Sequence, residues 1–170
     1  AGRESADDRE PEEGLSVANG PILAFDVGGS FVKAGLVDVD RGGLAGDVLR
    51  RATPADAAPG AVMDLLAEMA RELPSDGPVG LAFPAVAKRG VAWTAANIDR
   101  RWIGTDARDL LESRIGRPVA FLNDADAAGV AEMTLGAGRG RDGTVMMLTL
   151  GTGIGTAIFV DGRLLPNTEL

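Results

Sequence analysis

Phe121-Leu122-Asn123-Asp124-Ala125-Asp126-Ala127-Ala128-Gly129 joins a short apolar run to an alanine-rich one, with an amide and a carboxylate at the junction. Pro118 to Leu122 (PVAFL) reads as a buried strand and Ala125 to Met133 as a helix, alanine being the strongest helix former. Asn123 and Asp124 therefore fall at a strand-to-helix junction, from which side chains face a cleft. Either is equally suited to be a helix N-cap, whose oxygen takes the first free backbone N–H groups. The junction alone leaves both readings open, but strands and helices alternating about it place the chain in the α/β class.

Downstream, Gly136 to Gly143 (GAGRGRDG) is a flexible basic turn. Thr144 to Leu150 (TVMMLTL) reads as a buried strand, Gly151-Thr152-Gly153-Ile154-Gly155 as a glycine turn, and Thr156 to Val160 as another strand. Upstream, Thr105-Asp106 caps a helix over Ala107 to Ile115 with Leu110, Leu111 and Ile115 inward, and Gly116 stops it. The irregular loop from Thr94 to Gly104 offers Asn97, either for a ligand hydroxyl or as a turn residue, while Trp102 reads as packing. Val86 to Lys88 and Val91 to Trp93 alternate about Arg89-Gly90 as a small hairpin, and Val79 to Phe83 (VGLAF) is a strand ending at Pro84. Ala57 to Leu73 is an amphipathic helix with Val62, Leu65, Leu66, Met69 and Leu73 on one face, and Leu44 to Arg51 a further strand.

Order begins at Ile22 to Val27 (ILAFDV), which Gly28-Gly29-Ser30 turns into Phe31 to Asp38 (FVKAGLVD). Two glycines let backbone N–H groups converge on an anion, Ser30 adds a hydroxyl, and Lys33 adds a cation. Asp26, beside those donors, suits Mg²⁺. The competing reading is an ordinary hairpin with an Asp26–Lys33 salt bridge. The spacing is not that of a P-loop, and a strand rather than a helix follows. Strand, glycine turn with a hydroxyl and strand occur twice, at Gly28 and at Gly151, and two such turns can grip one polyphosphate from two sides.

Composition narrows the chemistry. The 170 residues are 45% hydrophobic but only 4% aromatic, so the core rests on aliphatic side chains. Without cysteine there is no disulfide framework and no zinc–cysteine site; without histidine any general base is a carboxylate or a lysine. The net charge of -8 argues against a nucleic-acid partner. Half of that charge lies in the first 14 residues, where Glu4, Asp7, Asp8, Glu10, Glu12 and Glu13 face two arginines. Residues 1–20 read as a disordered acidic lead, with neither the basic start nor the apolar stretch of a signal peptide. No apolar run is long enough to cross a membrane, so a cytoplasmic protein with no membrane partner is expected.

D-V-G-G-S-x-x-K at Asp26 to Lys33, L-N-D-A-D-A-A-G at Leu122 to Gly129 and L-G-T-G-I-G at Leu150 to Gly155 together resemble the ROK family of sugar kinases, in the actin-like ATPase (ribonuclease H-like) superfamily. Within it, T-A-A-N-I-D-x-x-W-I-G at Thr94 to Gly104 and P-N-T-E at Pro166 to Glu169 resemble the polyphosphate glucokinases. The resemblance runs from Ile22 to Leu170. It implies a glucokinase that moves a phosphoryl group from polyphosphate, ATP or both to the glucose 6-hydroxyl. Asp124 would be the base, and Asn97, Asn123 and Glu169 would bind the other sugar hydroxyls. Gly28, Gly29, Ser30, Lys33, Gly151, Thr152 and Gly153 would line the phosphate site, with Asp26 near Mg²⁺. A homodimer is implied for the full-length protein.

The resemblance also divides the chain. Residues 21–122 would form an N-terminal α/β domain, and 123–170 the truncated start of a second, whose strands need a third partner and a covering helix. The piece alone is then expected to be inactive. Ala85 stands where the family usually has glycine. A ROK kinase for another hexose, such as mannose or an N-acetylated sugar, is one alternative. A non-catalytic ROK sugar-sensing regulator is another, which the intact Asp26, Asp124 and glycine turns disfavour. Arg100, Arg101, Arg139, Arg141, Lys88 and Arg89 are candidates for a polyanion track, or are simply solvated.

Overall fold

A computed structural model describes residues 20–95, 98–150 and 153–168. Strand β1 (Ile22–Val27) and strand β2 (Phe31–Asp38) form the expected antiparallel hairpin, with Val27 opposite Val32 and the Gly28 N–H donating to the Phe31 carbonyl at 2.9 Å. β3 (Gly43–Leu44) and β4 (Leu49–Ala52) both pair with β2, where a single strand over Leu44 to Arg51 was expected. Leu44 opposes Val37 and Leu49 opposes Ala34, so the stretch from Ala45 to Val48 faces only Gly35 and Leu36 and bulges out of the ladder.

Helix α1 (Pro59–Glu72) crosses over to β5 (Val79–Phe83), which lies parallel to β1; α2 (Ala107–Ile115) crosses to β9 (Val119–Asn123), parallel to β5. Between β5 and α2, β6 (Ala87–Lys88) and β7 (Val91–Ala92) make the small hairpin, and β8 (Thr105–Asp106) adds a third strand to it. Arg89 and Gly90 both have positive φ, as the tight two-residue turn demands. The main sheet runs β3-β2-β1-β5-β9, with β4 on β2. Leu23, Phe25 and Val27 of β1 and Val79, Leu81 and Phe83 of β5 bury one face of it together with α1 and α2.

α1 turns its inward stripe slightly from the expected one: Met63 is fully buried, while Leu65 and Leu73 are only partly so. In α2, Leu111 is buried and Leu110 and Ile115 pack at its edge; Asp106 caps the start and Gly116, at φ 66°, ends it. Trp102, in a 3-10 turn (Arg100–Trp102), is wholly buried, 4.4 Å from the Phe83 ring between centroids, with its indole N–H donating to the Ala57 carbonyl.

Helix α3 (Asp124–Leu135) leads from the main sheet to a separate sheet, β10 (Thr144–Leu150), β11 (Ile154–Val160) and β12 (Arg163–Leu165). β12 is the third partner that the two preceding strands needed. β10 is not the buried strand expected from its composition, for Met146, Leu148 and Leu150 are 58%, 54% and 81% exposed. α3 covers only the face carrying Ala157 and Phe159, and no other described element covers the opposite one. Gly129 sets how closely α3 approaches: a Cβ there would lie 2.7 Å from Ala157 Cβ and 2.8 Å from the Phe159 ring. Gly129→Val is expected to destabilise the fold by about 1 to 3 kcal/mol, overpacking outweighing the gain in helix propensity. An unchanged urea midpoint would show that α3 and β11 part freely.

Candidate active site

A cleft of ≈ 920 Å³ opens where β1, the N-terminus of α3 and the β10–β11 turn converge. Its walls carry Asp26, Gly28, Gly29, Ser30 and Lys33 from the first hairpin, Asn123 and Asp124 from the β9–α3 junction, and Gly153 from the second glycine turn. Every candidate site residue that the structure describes is therefore in one place. Asn97, Gly151, Thr152 and Glu169 lie outside the described residues.

The junction serves both of its possible roles, divided between two residues. Asn123 is buried at 4% exposure and is the N-cap: its Oδ1 accepts from the Ala125 N–H at 2.8 Å and the Asp126 N–H at 3.1 Å. Its Nδ2 donates to the Ala85 carbonyl at 3.2 Å, which leaves one amide hydrogen for a ligand. Ala85, where glycine was the expected residue, is buried and serves as that acceptor. With the cap filled by its neighbour, Asp124 points its carboxylate into the open cleft, where Oδ1 takes the Ala125 N–H at 2.9 Å.

Although solvent reaches it, Asp124 is flanked by protein on the cleft floor, and this partial desolvation raises its pKa above the usual 3.8. The Ala125 N–H opposes that shift, while the charges of Asp26 and Asp126 add to it. Asp26 accepts from Lys33 Nζ at 2.8 Å, so the salt bridge read as the simpler alternative is present. Both side chains are about half exposed, however, and a bridge in that setting is weak enough for a phosphate or a metal to rearrange it. The first turn does not depend on left-handed glycine: Gly28 has no positive φ, and a Cβ on it would meet only the Phe31 carbonyl, at 3.1 Å. A Cβ on Gly153 would meet nothing within 4 Å among the described residues.

None of the six cations considered for a polyanion track lines this cleft. Arg101 is held by Asp99 at 2.8 Å and Asp56 at 3.1 Å, and its guanidinium pulls the Asp99 pKa down to about 2. Arg50, which the sequence did not single out, does line it.

Asp126 was also missed. It is 1% exposed; Oδ2 accepts from the Asn167 N–H at 2.9 Å, and Oδ1 has no hydrogen-bond partner among the described residues. Burial raises its pKa, against the Asn167 N–H that lowers it. Asn167, at φ 61°, accepts from the Ala87 N–H at 2.7 Å through Oδ1, and the Thr156 hydroxyl donates to the Thr168 carbonyl. The segment leading to Glu169 is thus pinned from two sides. The only sequence signal was the second acid of Asn123-Asp124-Ala125-Asp126, in a helical turn where acids are common anyway.

The sequence model described as the ROK family matches residues 22–166. The chain belongs to the ROK family. It is 50% identical over 148 residues to a polyphosphate glucokinase of Mycobacterium tuberculosis, covering 86% of this chain and 56% of that protein. An inorganic polyphosphate/ATP-glucomannokinase from Arthrobacter sp. strain KM superposes with a TM-score of 0.85 at 46% identity, over 89% of this chain and 62% of that one. A ROK family glucokinase from Streptomyces griseus, solved with glucose and AMPPNP, gives 0.77 at 32% identity, over 88% and 47%. The mixed α/β architecture is accordingly the actin-like ATPase fold of the ROK kinases. The chain spans only about half the length of these ROK relatives.

Proposed function

We propose that this chain carries the sugar- and donor-binding cleft of a cytoplasmic glucokinase that uses inorganic polyphosphate or ATP. One observation carries the reading: Asp124, the Asp26–Ser30 hairpin and Gly153 of the second turn face a single cleft. In this reading the main sheet with α1 and α2 is one lobe, and α3 with the second sheet begins the other. Separate strand pairing and the cleft between them support that division.

Phosphoryl transfer asks mostly for positioning and charge stabilisation. Asp124 accepts the proton of the glucose 6-hydroxyl as that oxygen bonds to phosphorus and the bond to the rest of the donor breaks. Asn123 offers its free amide hydrogen to a neighbouring sugar hydroxyl, and Asn97 and Glu169 are assigned to the remaining ones. The backbone N–H groups of Gly29 and Gly153, with those of Gly151 and Thr152, hold the donor phosphates, helped by Ser30 and Lys33, while Gly28, whose own N–H is taken by the Phe31 carbonyl, lines the site. Among the described residues no three metal-ligating side chains come together in a way that could hold an ion, but Mg²⁺ is commonly bound by one or two carboxylates plus phosphates and water, and Asp26 fits that donor set. When bound, the ion would neutralise charge on the donor. The M. tuberculosis and Arthrobacter proteins are named for polyphosphate, which supports that donor here.

The test is glucose 6-phosphate formation by the natural-length protein with polyphosphate and with ATP, and with mannose in place of glucose. Absence of transfer from either donor would sink the reading; faster transfer to mannose would move it to another hexose. Asp124 works as a base only when ionised. The acid limb of kcat/KM should therefore fall at a pH above 3.8, because desolvation and the neighbouring acids raise its pKa. A limb at or below that value would remove Asp124 from the reaction.

A further inference from the structure

Cross-strand pairing places Arg50 opposite Lys33, and Lys33 opposite Asp26, so the three side chains form a row on one face of the sheet. Lys33 spends its charge on Asp26 at 2.8 Å. Arg50 makes no ion pair or hydrogen bond through its guanidinium to any described residue. Its guanidinium carbon instead lies 3.6 Å from the centroid of the Phe31 ring, itself 41% exposed at the cleft wall. The next residue, Arg51, turns the other way and is paired with Glu72 at 2.9 Å. Of the described residues that line the cleft, only Lys33 and Arg50 are cationic, and only Arg50 has its charge unspent.

A guanidinium laid over a ring keeps its N–H donors free around its edge, held in a fork that suits phosphate oxygens. The ring also limits the positions the arginine can take, which lowers the entropy cost of gripping a ligand. Arg50 stands two strands from β1, about 10 Å at ordinary strand spacing. That offset is too wide for the phosphate being transferred beside Asp124.

We propose that Arg50, seated on Phe31, is a binding site for the donor's phosphates remote from the transferred one, selecting linear polyphosphate by its length. The inference rests on the donor site proposed above. Its ligand is a chain of several phosphates.

The test is calorimetric titration of the natural-length protein and its Arg50→Gln variant with tripolyphosphate and with a long-chain polyphosphate, alongside initial rates. Arg50→Gln should weaken long-chain binding roughly tenfold or more, the scale of one charge-assisted hydrogen bond. The slope of log Kd against log salt should drop by about one, while the KM for glucose stays unchanged. Arg50→Lys should recover the slope but only part of the affinity, and Phe31→Leu should weaken binding with the slope kept. Equal long-chain affinity and salt slope in Arg50→Gln, or no polyphosphate binding by the unsubstituted protein, would overturn the proposal. Unsubstituted protein that binds polyphosphate through Arg50 yet phosphorylates no sugar would instead sink the kinase reading alone.

Discussion

Under the proposed function, Asp124→Asn is expected to lower kcat for glucose phosphorylation by on the order of 10² to 10⁴-fold, the usual scale for a positioned acid or base, and to leave the fold intact. The amide oxygen can still take the Ala125 N–H that Asp124 Oδ1 now accepts, and Asn123 keeps the cap. What is lost is the ability to accept a proton. Because desolvation and two nearby acids disfavour the ionised carboxylate, removing its charge should leave the melting temperature unchanged or slightly raised. A steady-state assay paired with a thermal melt reads both quantities. Parent-like turnover with unchanged glucose binding would reduce Asp124 to a side chain at a helix start.

Trp102→Ala has the largest expected effect on stability, a loss of about 3 to 5 kcal/mol from the cavity left by a fully buried aromatic. The ring packs on Phe83, which closes β5 just before the Pro84-Ala85 floor of the cleft. Its N–H satisfies the Ala57 carbonyl at the entrance to α1. Both ends of the cavity therefore touch elements that position the site, and the KM for sugar should rise even where the protein remains folded. Urea denaturation measures the first effect. A midpoint within experimental error of the parent would mean that the surrounding residues collapse onto the space.

The parts legible in the sequence are those whose pattern is local. β1, β2 and β5 fall on their expected residues because short, largely apolar runs end at clear breaks, at Gly28 and at Pro84. α2 carries its own signals, Asp106 at one end and Gly116 at the other. The β9–α3 junction could be located, and so could the cleft residues gathered about it. The bulge between β3 and β4 could not, since it depends on register against β2. β10 looked buried because its composition is apolar on both faces, and only the placement of α3 decides which face is covered. Arg50 and Asp126 were missed for one reason. An arginine in a surface strand and an acid in a first helical turn are ordinary until distant residues, Phe31 for one and Asn167 for the other, give them a setting.

The Asn167 side chain ties the segment after β12 to a backbone amide 80 residues earlier, that of Ala87, while its own N–H is held by Asp126 across 41 residues. Proton exchange at Ala87 is thereby governed by the departure of a segment remote from it in the chain. Ala87 sits at the start of a two-residue strand, and its N–H finds its acceptor in Asn167. In deuterated solvent that single position reports release of the segment carrying Asn167, separately from opening of the sheet.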